Sequence, residues 1–259
     1  MTWFPQIGAG SIAQFPLRRT RKWRSIVNEL EGGELIRLAD SAAGLIDWCL
    51  LVQELTDAEA GTLNNFFAAS QGEFGSFLFI DPMANLLAWS EELARPDWQP
   101  GLLQITAGAT DPSGSQRASV IHNPSAGQQS LQQTLGVPGD YVACFSAWIR
   151  STTAGAVLLA RDSRSVACGI GPGWKRFFVG GAGTSSALQS TFSLSLAAGQ
   201  SIDIWGLQAE AQPYASQYKQ SAAALGIYEE TWFAADKLKV TSTGVGRSSC
   251  EIVLTSRVR

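Results

Sequence analysis

Between Leu102 and Glu210 the chain repeats one small pattern, a short strand-like run followed by a turn. The runs are Leu102–Thr106, Ser119–Asn123, Gln129–Leu135, Tyr141–Ser151, Ala156–Asp162, Trp174–Gly180, Leu188–Leu196 and Ser201–Glu210. The turns are Asp111-Pro112-Ser113-Gly114, Val137-Pro138-Gly139, Gly171-Pro172-Gly173 and Ala197-Ala198-Gly199. Gly and Pro at such positions stop helices and reverse strands. Their even spacing predicts a β-sandwich or jelly roll and excludes a helical bundle. In Tyr141–Ser151 both alternate sets hold large apolar residues, Phe145 and Ile149 on one and Cys144 and Trp148 on the other. That pattern predicts a central strand, buried on both faces.

The flanks have a different texture. Trp23–Leu30, Glu34–Leu38 and Leu45–Leu55 read as strands, with Gly32-Gly33 as a turn. Thr56 followed by Glu59 is a capping box, and Ala60, Leu63, Phe66 and Phe67 recur at helical spacing up to Gly72. Phe77–Ile80 is a buried strand closed by Asp81-Pro82. At the other end, Leu238-Lys239-Val240 and Cys250–Leu254 flank Gly244-Val245-Gly246 as a hairpin. Two strands cannot fold alone, and the strand-rich first 85 residues are the available partner. The sequence therefore predicts a mainly β protein with one short α-helix. Residues 1–85 and 218–259 form a discontinuous outer β-sandwich, and 86–217 form an inserted jelly-roll β-sandwich.

Several function classes fall away on residue inventory. Of 259 residues only 16% are charged, and 19 basic against 22 acidic residues leave −3, so no global basic field invites nucleic acid. The single histidine, His122, excludes a multi-histidine metal site. Cysteines at 49, 144, 168 and 250 lack CxxC spacing and are expected as reduced thiols, with no metal and no cofactor. Asp47 interrupts the best apolar run, Leu45–Val52, so no membrane span is expected. The start, Met1-Thr2-Trp3-Phe4-Pro5, lacks the basic and apolar regions of a signal peptide, so synthesis in a reducing cytoplasm is expected. Glu91/Glu92 and Glu229/Glu230 are adjacent pairs whose side chains diverge, so neither is poised for glycoside hydrolysis. His122 has no GxSxG serine nearby, and Gly180-Gly181-Ala182-Gly183 opens no helix and cradles no phosphate. The expectation is a protein without catalytic residues.

Two features remain as candidates for function. The run Arg18, Arg19, Arg21, Lys22 and Arg24 is the sharpest charge cluster. Contact with a neighbouring subunit or plain solvation outranks DNA contact, because the overall charge is negative; residues 1–85 carry 6 basic and 10 acidic residues. Residues 218–259 carry 6 basic and 4 acidic residues, so complementary patches could join subunits into a ring. The second feature is the tryptophans at 89, 98, 148, 174 and 205. Exposed indoles stack on sugar rings. Trp148 and Trp205, mid-strand, are expected in the core. Trp98, between prolines, and Trp174, after Gly-Pro-Gly, are the glycan candidates, with Arg150, Asp162, Arg164 and Gln208 as polar contacts.

A resemblance sharpens both. Trp48-Cys49-Leu50-Leu51-Val52-Gln53-Glu54-Leu55-Thr56, the helix ending at Phe66-Phe67, Gly72, and Ser76-Phe77-Leu78-Phe79-Ile80-Asp81-Pro82 together resemble the distal tail proteins of long-tailed bacteriophages, the phage lambda minor tail protein M family. The closing hairpin, Leu238 to Leu254, matches where that family's final strands return. A large insert after Asp81-Pro82 departs from the pattern. The insert is itself similar to the carbohydrate-binding-module-like jelly rolls of phage tail and fibre proteins. The matching blocks are Asn85-Leu86-Leu87-Ala88-Trp89-Ser90-Glu91-Glu92, Asp111-Pro112-Ser113-Gly114, Ser146-Ala147-Trp148-Ile149-Arg150-Ser151 and Trp205-Gly206-Leu207-Gln208-Ala209-Glu210. The resemblance implies a structural virion protein of the tail tip: a ring, six-fold, between the tail tube and the tip or hub proteins. The jelly roll would project toward host-surface glycan. The alternatives are a glycan-binding adhesion module of a tail fibre or baseplate, and a polysaccharide hydrolase.

Overall fold

The computed structural model describes residues 2–7, 12–183, 186–223 and 226–258, and the side chains of all of these except 41 and 42. Strand β1, Leu17–Glu29, turns through Gly33 (φ 80°) into β2, Leu35–Leu55. The left-handed conformation at Gly33 is one that glycine adopts at little cost. β2 is one strand of 21 residues, where the sequence pattern predicts two. The apolar signal lapses at residues 41–44 because these bulge from the ladder: Lys22 faces Leu45 and Arg24 faces Asp40. β1 also begins earlier than the sequence suggests, so the whole basic cluster lies in it.

Helix α1, Asp57–Ala69, starts at the expected capping box. The Thr56 backbone N–H donates to Glu59 Oε2 (2.7 Å), and the Glu59 N–H donates to Thr56 Oγ1 (3.3 Å). The Thr56 hydroxyl also donates to Glu59 Oε2 (2.7 Å), and that bond, with the one from the Thr56 backbone, holds the Glu59 carboxyl below its ordinary pKa. Strand β3, Phe77–Ile80, follows. Then come β4 Gln104–Ala109, β5 Ala118–His122, β6 Gln129–Leu135, β7 Val142–Arg150 and β8 Gly155–Arg161. The series continues with β9 Arg164–Ile170, β10 Lys175–Ala182, β11 Ser190–Leu196 and β12 Ser201–Glu210. The chain closes with β13 Ile227–Phe233, β14 Lys239–Gly244 and β15 Arg247–Arg257. Sequence patterning misses two of these strands. β8 and β9 are joined by a two-residue turn in which Asp162 (φ 50°), not Gly or Pro, takes the left-handed conformation. β13 carries Glu229 and Glu230 and so lacks an apolar run.

The described chain divides into two compact units, one made of 2–7, 12–80 and 228–258, the other Asp81–Ile227. In the first, a six-stranded sheet runs β1-β2-β15-β13-β3, with β14 on β15. The C-terminal strand β15 is antiparallel to β2 from Arg257 opposite Leu45 to Ser248 opposite Leu55, so early and late sequence share one sheet. The core is aromatic. Phe66 and Phe77 stack edge-on at 4.9 Å, as do Phe67 and Phe233, and Trp48 lies 5.1 Å from Phe79. Each such pair adds about 0.5–1.5 kcal/mol to the area it buries. The Trp48 indole donates to Ser256 Oγ (3.0 Å), which also bonds Thr231 Oγ1 (2.7 Å), so the one polar edge is satisfied.

The second unit is a two-sheet β-sandwich, β10-β7-β12-β5-β4 over β6-β11-β8-β9. Between them lie Phe145, Ile149, Ile121, Ile202 and Ile204 from one sheet and Leu131, Leu159, Phe192 and Leu194 from the other, all fully buried. Phe145 meets Phe192 at 5.7 Å. Each such burial contributes about 1.5–3 kcal/mol. One end is tied by a buried cation: Arg161 donates to the carbonyls of Gly181 (3.0 Å) and Pro138 (3.0 Å) and to Ser190 Oγ (3.1 Å). Asn85 bonds Leu207 O (2.9 Å) and Lys219 O (3.0 Å), so residues 81–85 and 218–223 pack with the sandwich.

Candidate functional site

Two surfaces stand out, one in each unit. The first follows from the length of β1 and β2. β15 ends opposite Leu45 and its last described backbone bond runs from Val258 N–H to Gly44 O (2.9 Å), so beyond Gly44 the described sheet consists of β1 and β2. From Arg24–Asp40 to Glu29–Leu35 this ribbon pairs in register and is exposed along its length. By strand geometry it extends about 23 Å past the third strand. Directly opposite residues share a face, so Ile26, Leu38 and Ile36 line one side and Val27 and Leu35 the other, all exposed. Trp23, 62% exposed, sits at the bulge. β1 is also an open edge.

The basic cluster lies at the root of this ribbon. Lys22 pairs with Asp47, and Arg24 lies 4.0 Å from Asp40, within the same hairpin. Arg19 stacks over the Trp48 ring at 5.7 Å. Arg18 and Arg21 are exposed, with no carboxylate in ion-pair distance among the described residues. The cluster is thus partly spent on its own strand partners, and Arg18 and Arg21 are its uncommitted members.

The second surface is the outer face of the five-stranded sheet. Ile202 and Ile204 point inward, so Asp203 and Trp205 point outward, and likewise Trp148 and Arg150 on β7. Register puts Arg176, Trp148 and Trp205 in one row across β10, β7 and β12, with Trp174, Arg150 and Asp203 forming the next row. Trp148 and Trp205 have ring centroids 6.4 Å apart, and Arg150 lies 4.8 Å over Trp174 while donating to Asp203 Oδ2 (2.8 Å). Arg117 lies 5.2 Å over Trp205 and pairs with Asp111 (2.8 Å). Arg117, Trp148, Arg176, Trp205, Gln217 and Tyr218 line an open cavity of about 380 Å³.

Local backbone makes this geometry. One extra residue on β12 between Trp205 and Gln208 forms a β-bulge. Gly206 there has φ 66°, and a Cβ on it would lie 3.1 Å from Trp148 and 3.4 Å from Tyr218, so only glycine lets the three rings close together. After the bulge, a strap, residues 211–219, crosses the sheet. Gln208 Oε1 accepts from Lys219 N–H (2.7 Å), and Tyr218 packs edge-on against Trp205 at 4.6 Å. Glu91 accepts from Trp205 Nε1 (3.1 Å) and Tyr218 OH (3.1 Å), fixing both. Asp111 is likewise fixed. Burial alone would raise its pKa, but bonds from Ser113, Ser115 and Arg117 outweigh that and hold it below the ordinary carboxylate value.

Of the sequence-derived glycan candidates, Trp174 and Arg150 meet on this face. Trp98 does not: it is 3% exposed and its indole donates to Trp89 O (3.1 Å), so its ring has no open side. Gln208 is fully buried beneath the strap and anchors it instead. Asp162 and Arg164 turn the opposite sheet, bonding Thr191 N–H (2.8 Å) and Ala182 O (3.1 Å). Trp148 and Trp205, expected in the core, are only half-buried and form the platform itself. Parity was the available signal: Trp205 shares it with Ser201 and Asp203, and Trp148 with Arg150. β7 is central as expected, but its outer face is covered only as far as Ser146.

Among the described residues no cluster of His, Cys, Asp or Glu could hold a metal ion. The four cysteines are unpaired, and burial pushes the thiols of Cys144 and Cys250 up to about 12 and about 11. No described helix is long and apolar enough to cross a membrane.

No family model and no curated protein matches the chain in sequence. Among solved structures it is similar to the C-terminal family 22 carbohydrate-binding module of Clostridium thermocellum Xyn10B (15% identity, TM-score 0.40, covering 52% of this chain and 100% of that one). A family 61 module in complex with β-1,4-galactotriose gives 15% identity and a TM-score of 0.39, covering 49% and 97%. The enzymatically active domain of bacteriophage CBA120 tailspike protein 4 gives 14% identity and a TM-score of 0.37, covering 51% of this chain. This chain spans only 22% of that tailspike structure.

Proposed function

We propose that the chain is a non-catalytic structural subunit of a bacteriophage tail tip, a distal tail protein whose first unit closes with other copies into a ring, six-fold as the sequence resemblance implies. The ring would join the tail tube to the tip or hub proteins. The observation that carries the reading is the two-stranded ribbon, apolar and uncovered on both faces. An isolated hairpin is marginal in water at best, so a ribbon this long is stable when copies pair along its edge and bury its faces. Light scattering on the eluting protein, with negative-stain images, tests this. Rings are expected, and a protein that stays monomeric with tube and tip partners present overturns it.

A second reading attaches to the sandwich, and the row of Trp148 and Trp205 favours it. Two half-exposed indoles held in register by Glu91, Gly206 and Tyr218 form a preorganised stacking surface for sugar rings. The sandwich then serves as a host-glycan contact, in the tail tip or as an adhesion module of a fibre or baseplate. On a glycan array, specific signal lost about tenfold or more in Trp148→Ala is the expected outcome; a flat array removes the reading. Glu91 is committed to two donors, Trp205 and Tyr218, and to an ion pair with Arg117, which supports binding without hydrolysis. Release of reducing sugar from host envelope would make the protein an enzyme after all.

A further inference from the structure

The arginines of the sheet face say which kind of saccharide it takes, an inference that rests on reading that face as a saccharide platform. The ion pairs around the platform are lopsided. Arg117 leaves 43% of its side chain exposed, while its partners Asp111 and Glu91 expose 0% and 8%. Lys219 exposes 37% and its partner Glu210 none. Arg150 and Asp203 are nearly even, at 30% and 26%. Formally the charges balance, but the carboxylates are sunk below the surface and the cations are left at it. A ligand approaching the face therefore meets positive ends first.

Arg176 goes further. Among the described residues it has no carboxylate in ion-pair distance. Its Nη1 donates to the Ser216 carbonyl and its Nη2 to Ser146 Oγ (3.0 Å), both neutral acceptors, and its Nε is buried without a partner. A half-buried guanidinium has five N–H donors and is costly to hold without an adjacent counter-charge, and Glu210 acts on this one only from beyond ion-pair distance. Arg176 lines the same cavity as Trp148 and Trp205. Neutral sugar would stack on the indoles and leave that charge balanced only from a distance, by a Glu210 already bonded to Lys219 and Ser216.

We propose that this face takes an acidic saccharide, with a hexuronate-type carboxylate against Arg176 and the apolar ring face on Trp148 and Trp205. A planar carboxylate suits the guanidinium fork, and the cavity, about 380 Å³, has room for one such ring.

The test uses the full chain and calorimetry with three probes: tri-galacturonate, its neutral methyl ester, and a sulfated neutral trisaccharide. Tri-galacturonate is expected to bind at least tenfold more tightly than the ester, with the advantage shrinking as salt rises. Arg176→Gln should cut the advantage to threefold or less, and Arg176→Lys should restore part of it. Trp148→Ala should weaken acid and ester alike. Equal affinity for acid and ester in the unmodified protein overturns the acidic assignment while leaving the platform standing. So does an advantage that survives in a folded Arg176→Gln. Binding of neither sugar removes the platform reading itself, and a sulfated probe that binds as well as the uronate overturns the carboxylate in favour of anions generally.

Discussion

The ribbon of β1 and β2 and the outer sheet face of the sandwich are both open to water, but they are incomplete in opposite ways. The ribbon lacks structure: among the described residues, its apolar side chains are exposed and its edge has no partner strand. The sheet face lacks only a ligand. Its aromatic rings are bonded to Glu91, stacked on arginines and spaced by a glycine bulge. A surface awaiting a copy of its own chain exposes backbone and aliphatic groups, whereas a surface awaiting a small ligand spends bonds on holding side chains still. The two can be told apart within a single chain.

The largest effect that would break this contrast is on the ribbon. Ile26→Asp with Leu38→Asp should abolish assembly, raising the dissociation constant a hundredfold or more, about 2.7 kcal/mol. The monomer's melting temperature should hardly move, because neither residue is buried in the single chain. A large drop in that temperature would mean that the ribbon is part of the unit's own core.

Next in size is Phe77→Ala, which removes the ring shared by Phe4, Phe66 and Phe233. It should cost about 3–5 kcal/mol in denaturant unfolding. A cost below about 1 kcal/mol would mean that the aromatic cluster is not what holds the first unit together.

Asp111 sharpens the sandwich side. Its folded pKa is depressed, so it contributes stability above its ordinary value near 3.8 that is lost as pH falls through the folded value. Chemical denaturation should show the sandwich weakening in that acid range, with a flatter profile in Asp111→Asn. Equal slopes would show that the network around Arg117 does not depend on that charge. The smallest effect is Thr56→Ala, which removes one half of a capping box and should cost about 1 kcal/mol. No change in unfolding free energy would show that α1 is held by packing alone.

The capping box, the Phe77–Ile80 strand and the sandwich strands were legible because each obeys a local rule. Capping is a three-residue pattern, and Gly or Pro marks most of the turns. The β8–β9 turn escaped because Asp162 does a glycine's work, and β2 escaped because a bulge hides its continuity. The platform was half legible. Trp148 and Trp205 look like core by size, and only their parity with Arg150 and Asp203 gives them away. Trp98 misled for the converse reason: flanking prolines mark a loop, and a loop can still bury its largest residue. Arg176 left no signal, since its want of a carboxylate partner depends on neighbours brought together by three separate strands and the strap.

The continuity of β2 has a mechanical meaning. One covalent strand runs from the ribbon's tip, past Trp48 in the aromatic core, to the start of α1, spanning about 55 Å along the ladder. Its hydrogen bonds to β15 lie across that line. A pull on the ribbon therefore loads those bonds in shear and all together, where a strand peeled from one end would lose them singly. Traction applied at the ribbon is shared along the full β2–β15 ladder instead of being concentrated at a hinge.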